Sequence, residues 1–271
     1  MIDRRRHSKR EVPWWLLAIA LLGLLTLWAI VADQSYADIF RALSGGIVTT
    51  IWVTAVAFFC AFVLGLLVAL ARTSGIRVLR EVATFYVEIL RGVPMLVALF
   101  YVAFVGAPWL VDSVNWLIAP LIQLGWVGPL SIRTLDFTWR AILALTVCYS
   151  AFIAEILRAG IEAVDEGQVE AAKALGLSPW PTFRHVVSPQ AIRIVLPPLG
   201  NDFVSMIKDS ALVSALGVQD ITQLGKVYSS GTFKFFETYN VVAFLYLVMT
   251  ISLSLVVRLL EHRLKRGHNR S

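Results

Sequence analysis

Between Trp14 and Ala32 the chain runs for nineteen residues without a charge, and only Thr26 breaks the apolar sequence. Coiled as an α-helix, a run of about 20 residues spans the hydrocarbon of a bilayer. Further runs follow at about Ile47–Ala71, Phe85–Gly106, Trp139–Leu157 and Val241–Leu260, with a more interrupted one at 191–218. Lipid offers backbone groups no hydrogen-bond partner, so such runs must be helices or strands of a closed barrel. Barrel strands read as alternating segments of about ten residues, and these runs are continuous. Only 15% of residues are charged, against about a quarter in soluble domains. The fold class is an all-α polytopic membrane protein with about six transmembrane helices. Residues 1–13 form a basic N-terminus, 14–32 an accessory first helix, 45–260 the transmembrane domain and 261–271 a basic C-terminus.

Charge bias sets orientation, because loops rich in Lys and Arg stay on the cytoplasmic side. With the N-terminus inside and six spans, the inner segments 1–13, 72–84, 158–193 and 258–271 hold 17 Lys/Arg. The outer segments 33–46, 107–138 and 219–237 hold 4. A seventh span at 109–127 would invert everything after it and move inner positive charges outside. That stretch carries Trp109, Trp116 and Trp126 among prolines and glycines, and reads as an interfacial or re-entrant loop. A signal peptide competes for residues 1–32, but its apolar core is shorter, about 7–15 residues. An uncleaved first span is expected.

The loop at 158–190 contains a helix of soluble type. Asp165 stands as N-cap with Gln168 three residues on, a variant of the capping box. Gly176 can take the left-handed conformation that closes a helix. Val169, Ala172 and Leu175/Gly176 fall on one face, and Ala171 and Ala174 keep the surface low. Ser178 and Pro179 open a second helix at once. The expectation is helix, sharp turn, helix on the cytoplasmic side.

Charges inside the spans are the remaining candidates. Glu-Ile-Leu-Arg occurs at 88–91 and again at 155–158. Glu88 with Arg91, and Glu155 with Arg158, are three apart and can pair on one helix face. They are either interfacial ion pairs or the inner mouth of a polar path. Asn201, Lys208 and Asp209 lie where Pro197 and Pro198 interrupt an apolar segment, and Asn201 and Lys208 share a face. Broken membrane helices border cavities, so these residues are expected to line a path, unless Lys208 and Asp209 simply neutralise each other. Cys60 and Cys148 read as small buried hydrophobes, and the four histidines make no ligand set. Gly225-Lys226 lacks the rest of a phosphate-binding loop, and neither His-Glu-x-x-His nor Gly-x-Ser-x-Gly occurs. No catalytic or metal residues are assigned, so the chain is not expected to be an enzyme. Basic residues flank spans and imply no nucleic acid. An ion-gradient-driven secondary transporter or channel is the competing function.

Glu170-Ala171-Ala172, with Gly176 beyond and Leu196-Pro197 downstream, resembles the EAA motif of bacterial ABC importer permeases. The surrounding text resembles the polar amino acid uptake branch: Ala154-Glu155-Ile156-Leu157-Arg158-Ala159-Gly160-Ile161, Leu196-Pro197-Pro198-Leu199-Gly200-Asn201, Lys208-Asp209-Ser210-Ala211-Leu212, and upstream Glu88 to Leu96. The resemblance covers roughly 45–106 and 139–260. It implies a five-helix type I importer core and an ATPase-coupling role for Gly167, Glu170, Ala171, Ala172 and Gly176. It implies as partners a cytoplasmic ATP-binding subunit that holds ATP and Mg, a second permease copy, identical or related, an extracytoplasmic solute-binding protein and an amino acid substrate. This chain would carry no cofactor itself and would sit among the lipids of a bacterial inner membrane. Two departures stand out. Ala211 replaces a frequent Ser/Thr, and 107–138 is longer than in many small members, on the face toward a binding protein.

Overall fold

A computed structural model describes residues 14–268 of the 271. The basic residues of 1–13, and Arg270, lie outside that range. Helix α1 (Trp14–Ala32) coincides with the expected first span. Helix α2 (Gln34–Arg72) is 39 residues long, so of the loop expected at 33–46 from its polarity all but Asp33 is helical. Asp33 is the reason: its Oδ1 accepts from the Ser35 N–H at 2.7 Å and caps the helix there. At 1.5 Å per residue α2 reaches about 58 Å, well beyond a hydrocarbon layer of about 30 Å.

The third span is also relocated. Helix α3 (Arg77–Gly92) ends at Val93 and Pro94, both extended, and α4 (Met95–Tyr101) starts afresh. A proline pushes the residue before it out of the helical region, which breaks the expected Phe85–Gly106 helix in two. From α4 the chain passes through a π-helical turn (Val102–Gly106) into α5 (Ala107–Leu117). Met95–Leu117 is long and apolar enough to cross a membrane. The expected loop at 107–138 therefore begins as helix. Its remainder contains the short α6 (Ala119–Gln123) and a 3₁₀ turn at Ile132–Thr134. Asn115 folds this stretch back, donating to the Leu130 carbonyl and accepting from its N–H, each at 2.8 Å.

Helix α7 (Phe137–Glu162) is the axis of the molecule. It lies along α2, where Val53, Ala57, Ala61, Gly65 and Ala69 recur every fourth residue, all buried. Small residues at that spacing let two helix backbones approach in lipid. A Cβ on Gly65 would sit 2.9 Å from the Ser150 carbonyl oxygen. Thr50 and Thr54 are buried on the same helix. Cys148 is buried as expected, but Cys60 lies on the exposed face of α2.

After α7 come α8 (Glu166–Ala174) and α9 (Pro179–Thr182). A π-helical turn (Phe183–Val187) leads straight into α10 (Ser188–Asp209). Pro197 and Pro198 sit inside α10 without breaking it, contrary to the expected interruption. The chain leaves the α-helix only at Ser210–Leu216, a 3₁₀ segment closed by Gly217. Helices α11 (Ile221–Thr232) and α12 (Phe235–His268) finish the fold.

Contacts fix the directions. Along α2 and α7, Thr146 donates to the Ala57 carbonyl, Gly65 meets Ser150 and Ile153, and Arg72 pairs with Glu155. Residue numbers rise together, so α2 and α7 are parallel. Near the start of α2, Lys234 donates to Ser35 at 2.7 Å and Gly225 packs on Val242 and Leu43, so α12 begins beside the start of α2. Parallel α2 and α7 require an odd number of crossings between them. Met95–Leu117 supplies one, and a further crossing within 109–127 would spoil the parity.

Candidate functional site

Helix α8 is built by local rules. The Asp165 carboxylate accepts from the Gln168 N–H at 3.3 Å, closing the start. Among the described residues no bond returns from the Gln168 side chain, so only half of the capping box forms. A Cβ on Gly167 would stand 2.9 Å from Asp165 Oδ1, so the glycine leaves room for that cap. Glu166 in the first turn and Lys173 in the last complement the helix dipole. At the far end Gly176 has φ +81°. Its N–H donates to the Lys173 carbonyl at 2.9 Å, and the Leu177 N–H reaches back to Ala172 at 3.1 Å. That pair of bonds is a Schellman closure, and it needs the left-handed residue between them.

One face of α8 is packed and the other is not. Ala172 is buried, and Val169 packs with Val164, Phe183, Val187 and Ala191 beneath it. Glu170 and Ala171 are exposed, as are Gly167 and Gly176. Leu175 is 83% exposed and does not join the packed face as expected. Each i,i+3 step falls about 60° short of a full turn, so two such steps from Val169 carry Leu175 off the buried side. A cleft of about 420 Å³ between α7 and α8 is lined in part by Glu162, Glu166, Glu170 and Lys173.

Above α8, at the same end of the bundle, charges converge on Glu155. Its Oε2 pairs with Arg72 at the end of α2, and Arg91 of α3 approaches the same oxygen at 3.9 Å. Oε1 pairs with Arg158, which also binds Glu162 at 2.5 Å. The expected Glu155–Arg158 pair is therefore present. The expected Glu88–Arg91 pair is not: Glu88 is exposed and enters no ion pair among the described residues. Both residues stand on α3, but Arg91 turns to α7, toward Glu155 and with its Cζ 5.9 Å from the centre of the Phe152 ring. Arg72 escaped sequence reading because its partner lies 83 residues away.

Polar groups of α10 make the third cluster. Asn201 and Lys208 share an exposed face. Lys208 and Asp209 do not neutralise each other, because Asp209 accepts instead from the Tyr149 hydroxyl at 2.7 Å. Asp202, seven residues earlier on the same side, keeps a buried carboxylate oxygen without a partner. Sequence reading missed Asp202 and Tyr149, although the seven-residue spacing of the two acids was visible. Ala211 lies half-buried in the 3₁₀ turn, beside Ser210, whose hydroxyl donates to the Ile207 carbonyl at 2.7 Å. Among the described residues no group of His, Cys, Asp and Glu is placed to hold a metal.

Comparison with known proteins matches this architecture to one family. Residues 61–266 match the binding-protein-dependent transport system inner membrane component. The probable glutamine ABC transporter permease protein GlnM of Bacillus subtilis (strain 168) is 36% identical over 231 residues, 85% of this chain and 97% of that protein. The L-cystine transport system permease protein TcyB of the same strain is 34% identical over 246 residues, 90% of this chain and 94% of that protein. The crystal structure of an amino acid ABC transporter with histidines matches at TM-score 0.70 and 36% identity, covering 84% of this chain and 97% of its counterpart. A parallel α2–α7 core, a protruding capped helix between α7 and α10, and agreement in sequence and fold lead to one assignment: the chain belongs to the binding-protein-dependent transport inner membrane components, the permeases of ABC transporters.

Proposed function

We propose that the chain is the permease subunit of an ATP-driven importer of polar amino acids, set in a bacterial inner membrane with both termini cytoplasmic. Relatives named for glutamine and for L-cystine match it almost equally, which supports the amino acid class and not one member of it. The excess of Lys and Arg on the α8 side supports the orientation. ATP and Mg belong to a separate cytoplasmic ATP-binding subunit, two copies of which sit below two permeases. An extracytoplasmic solute-binding protein delivers the substrate, and the part of 107–138 that follows the Met95–Leu117 span, residues 118–136, faces it. Asn201, Lys208 and Asp209 line the path, with Glu88, Arg91, Glu155 and Arg158 toward its cytoplasmic mouth.

The observation that carries this reading is α8. It is anchored on one face by Val169 and Ala172, and it presents Glu170, Ala171 and the bare Leu175 outward. A small-faced helix with one exposed leucine is shaped to enter a groove, and docking there couples this chain to ATP. Differential affinity of ATP for two states of the ATPase pair then drives alternating access. Buried apolar anchors dominate such contacts. Leu175→Asp is expected to lower the ATPase subunit retained on the affinity-purified permease by about tenfold, with the permease still inserted. Undiminished retention would remove Leu175 and its face from the contact.

A further inference from the structure

Three helices meet on one carboxylate at the α8 end of the bundle. Glu155 receives Arg72 from the last residue of α2, Arg91 from the last turn of α3 and Arg158 from α7 itself. Arg158 carries the network on to Glu162, the last residue of α7. From there only Ala163, Val164 and Asp165 separate it from α8, and Val164 is buried in a cluster with Val187 of the π-helical turn and Ala191 of α10. The connection between α7 and α8 is therefore short and anchored by packing.

The network holds more donors than a clamp needs. Three arginines face two glutamates, Arg158 Nε is buried without a partner, and Oε2 of Glu155 is contested by two arginines. Arg72 is 10% exposed and tightly paired, while Arg91 is 41% exposed, at 3.9 Å, and leans on Phe152. Replacing one arginine by another on the same oxygen conserves the pairing of charge. Losing the carboxylate altogether would strand the buried charge of Arg72. Arg91 also stands directly before a break in the helix, where Gly92, Val93 and Pro94 follow it and a Cβ on Gly92 would meet nothing within 4 Å.

We infer that Glu155 is a positioning residue that links the displacement of α8 to α2 and α3 by exchanging Arg72 and Arg91 on one oxygen. It thereby keeps ATP hydrolysis and solute movement in step. The inference rests on the importer reading above. It gives Glu155 a role separate from touching solute, and it brings in Arg72, which no motif marks.

The test uses the assembled importer in proteoliposomes: this chain, its ATPase subunit and its solute-binding protein. Solute imported per ATP hydrolysed is measured for wild type, Glu155→Gln and Arg91→Ala. Glu155→Gln should keep the ATPase bound and hydrolysing, yet move about tenfold less solute per ATP, a usual size for coupling between sites. Arg91→Ala leaves Arg72 on the carboxylate and should shift the ratio the same way by less. A wild-type ratio in Glu155→Gln overturns the inference. If that variant fails to assemble, Arg91→Ala decides, and an unchanged ratio there overturns it equally. A wild-type importer without ATP-dependent uptake sinks the importer reading itself, whereas a transporting wild type with unaltered variants sinks the Glu155 role alone.

Discussion

Gly176 and Gly65 show two reasons for a glycine. At Gly176 the reason is conformational: φ +81° closes α8. A valine there costs about 1–2 kcal/mol or more in the left-handed region, all of it in an exposed turn. Gly176→Val is expected to insert normally and to lose uptake, and normal uptake by that variant would refute the role of the turn. At Gly65 the reason is space, since a Cβ would stand 2.9 Å from the Ser150 carbonyl in the α2–α7 seam. Gly65→Leu is expected to destabilise the fold by about 1–3 kcal/mol through overpacking, seen as a lower unfolding temperature in detergent. What sequence could read at this scale was local. Asp165, Gly167 and Gly176 act within one turn of themselves, so their pattern is visible in twelve residues. Glu155 is different: its helix neighbour Arg158 was legible, but Arg72 and Arg91 reach it only through the packing of three helices. Leu175 was misplaced because it continues the i,i+3 series only in letters, and the helix has turned away beneath it.

At the scale of elements, apolar length located most helices, and prolines decided where the reading failed. Pro94 divides the expected third span, because Val93 before it is forced into an extended conformation. Pro197 and Pro198 were expected to do the same and do not. Their neighbours hold the chain helical between Gly160 and Val257, where glycines at 160 and 200 let three helices close up. The start of α2 was missed because its polarity resembles a loop, while the Asp33 cap that makes it helical is a single residue. The 118–136 stretch, which holds Trp126, is tied back by something sequence could not reveal, the paired bonds from Asn115 to Leu130. Each such bond contributes about 1 kcal/mol. Asn115→Ala is expected to leave the spans intact and to expose 118–136 to protease added on the side opposite α8. An unchanged cleavage rate would show that the staple does not hold that segment.

For the whole molecule, the parallel directions of α2, α7 and α12 agree with the orientation drawn from the 17 and 4 basic residues on the two sides. Large apolar side chains such as Val48, Phe59 and Leu67 of α2 lie bare on the isolated chain. In the proposed assembly lipid and a second permease cover these faces. In the same proposal a separate ATP-binding subunit supplies the energy, and α8 is the feature proposed to receive it. The most direct measurement is uptake of radiolabelled amino acids into vesicles that hold this chain with its ATPase subunit, with binding protein outside and no ion gradient. Uptake that requires ATP inside and stops with a hydrolysis-deficient ATPase is the predicted result. Uptake that proceeds without ATP and follows an imposed sodium or proton gradient would contradict the account and favour a secondary transporter.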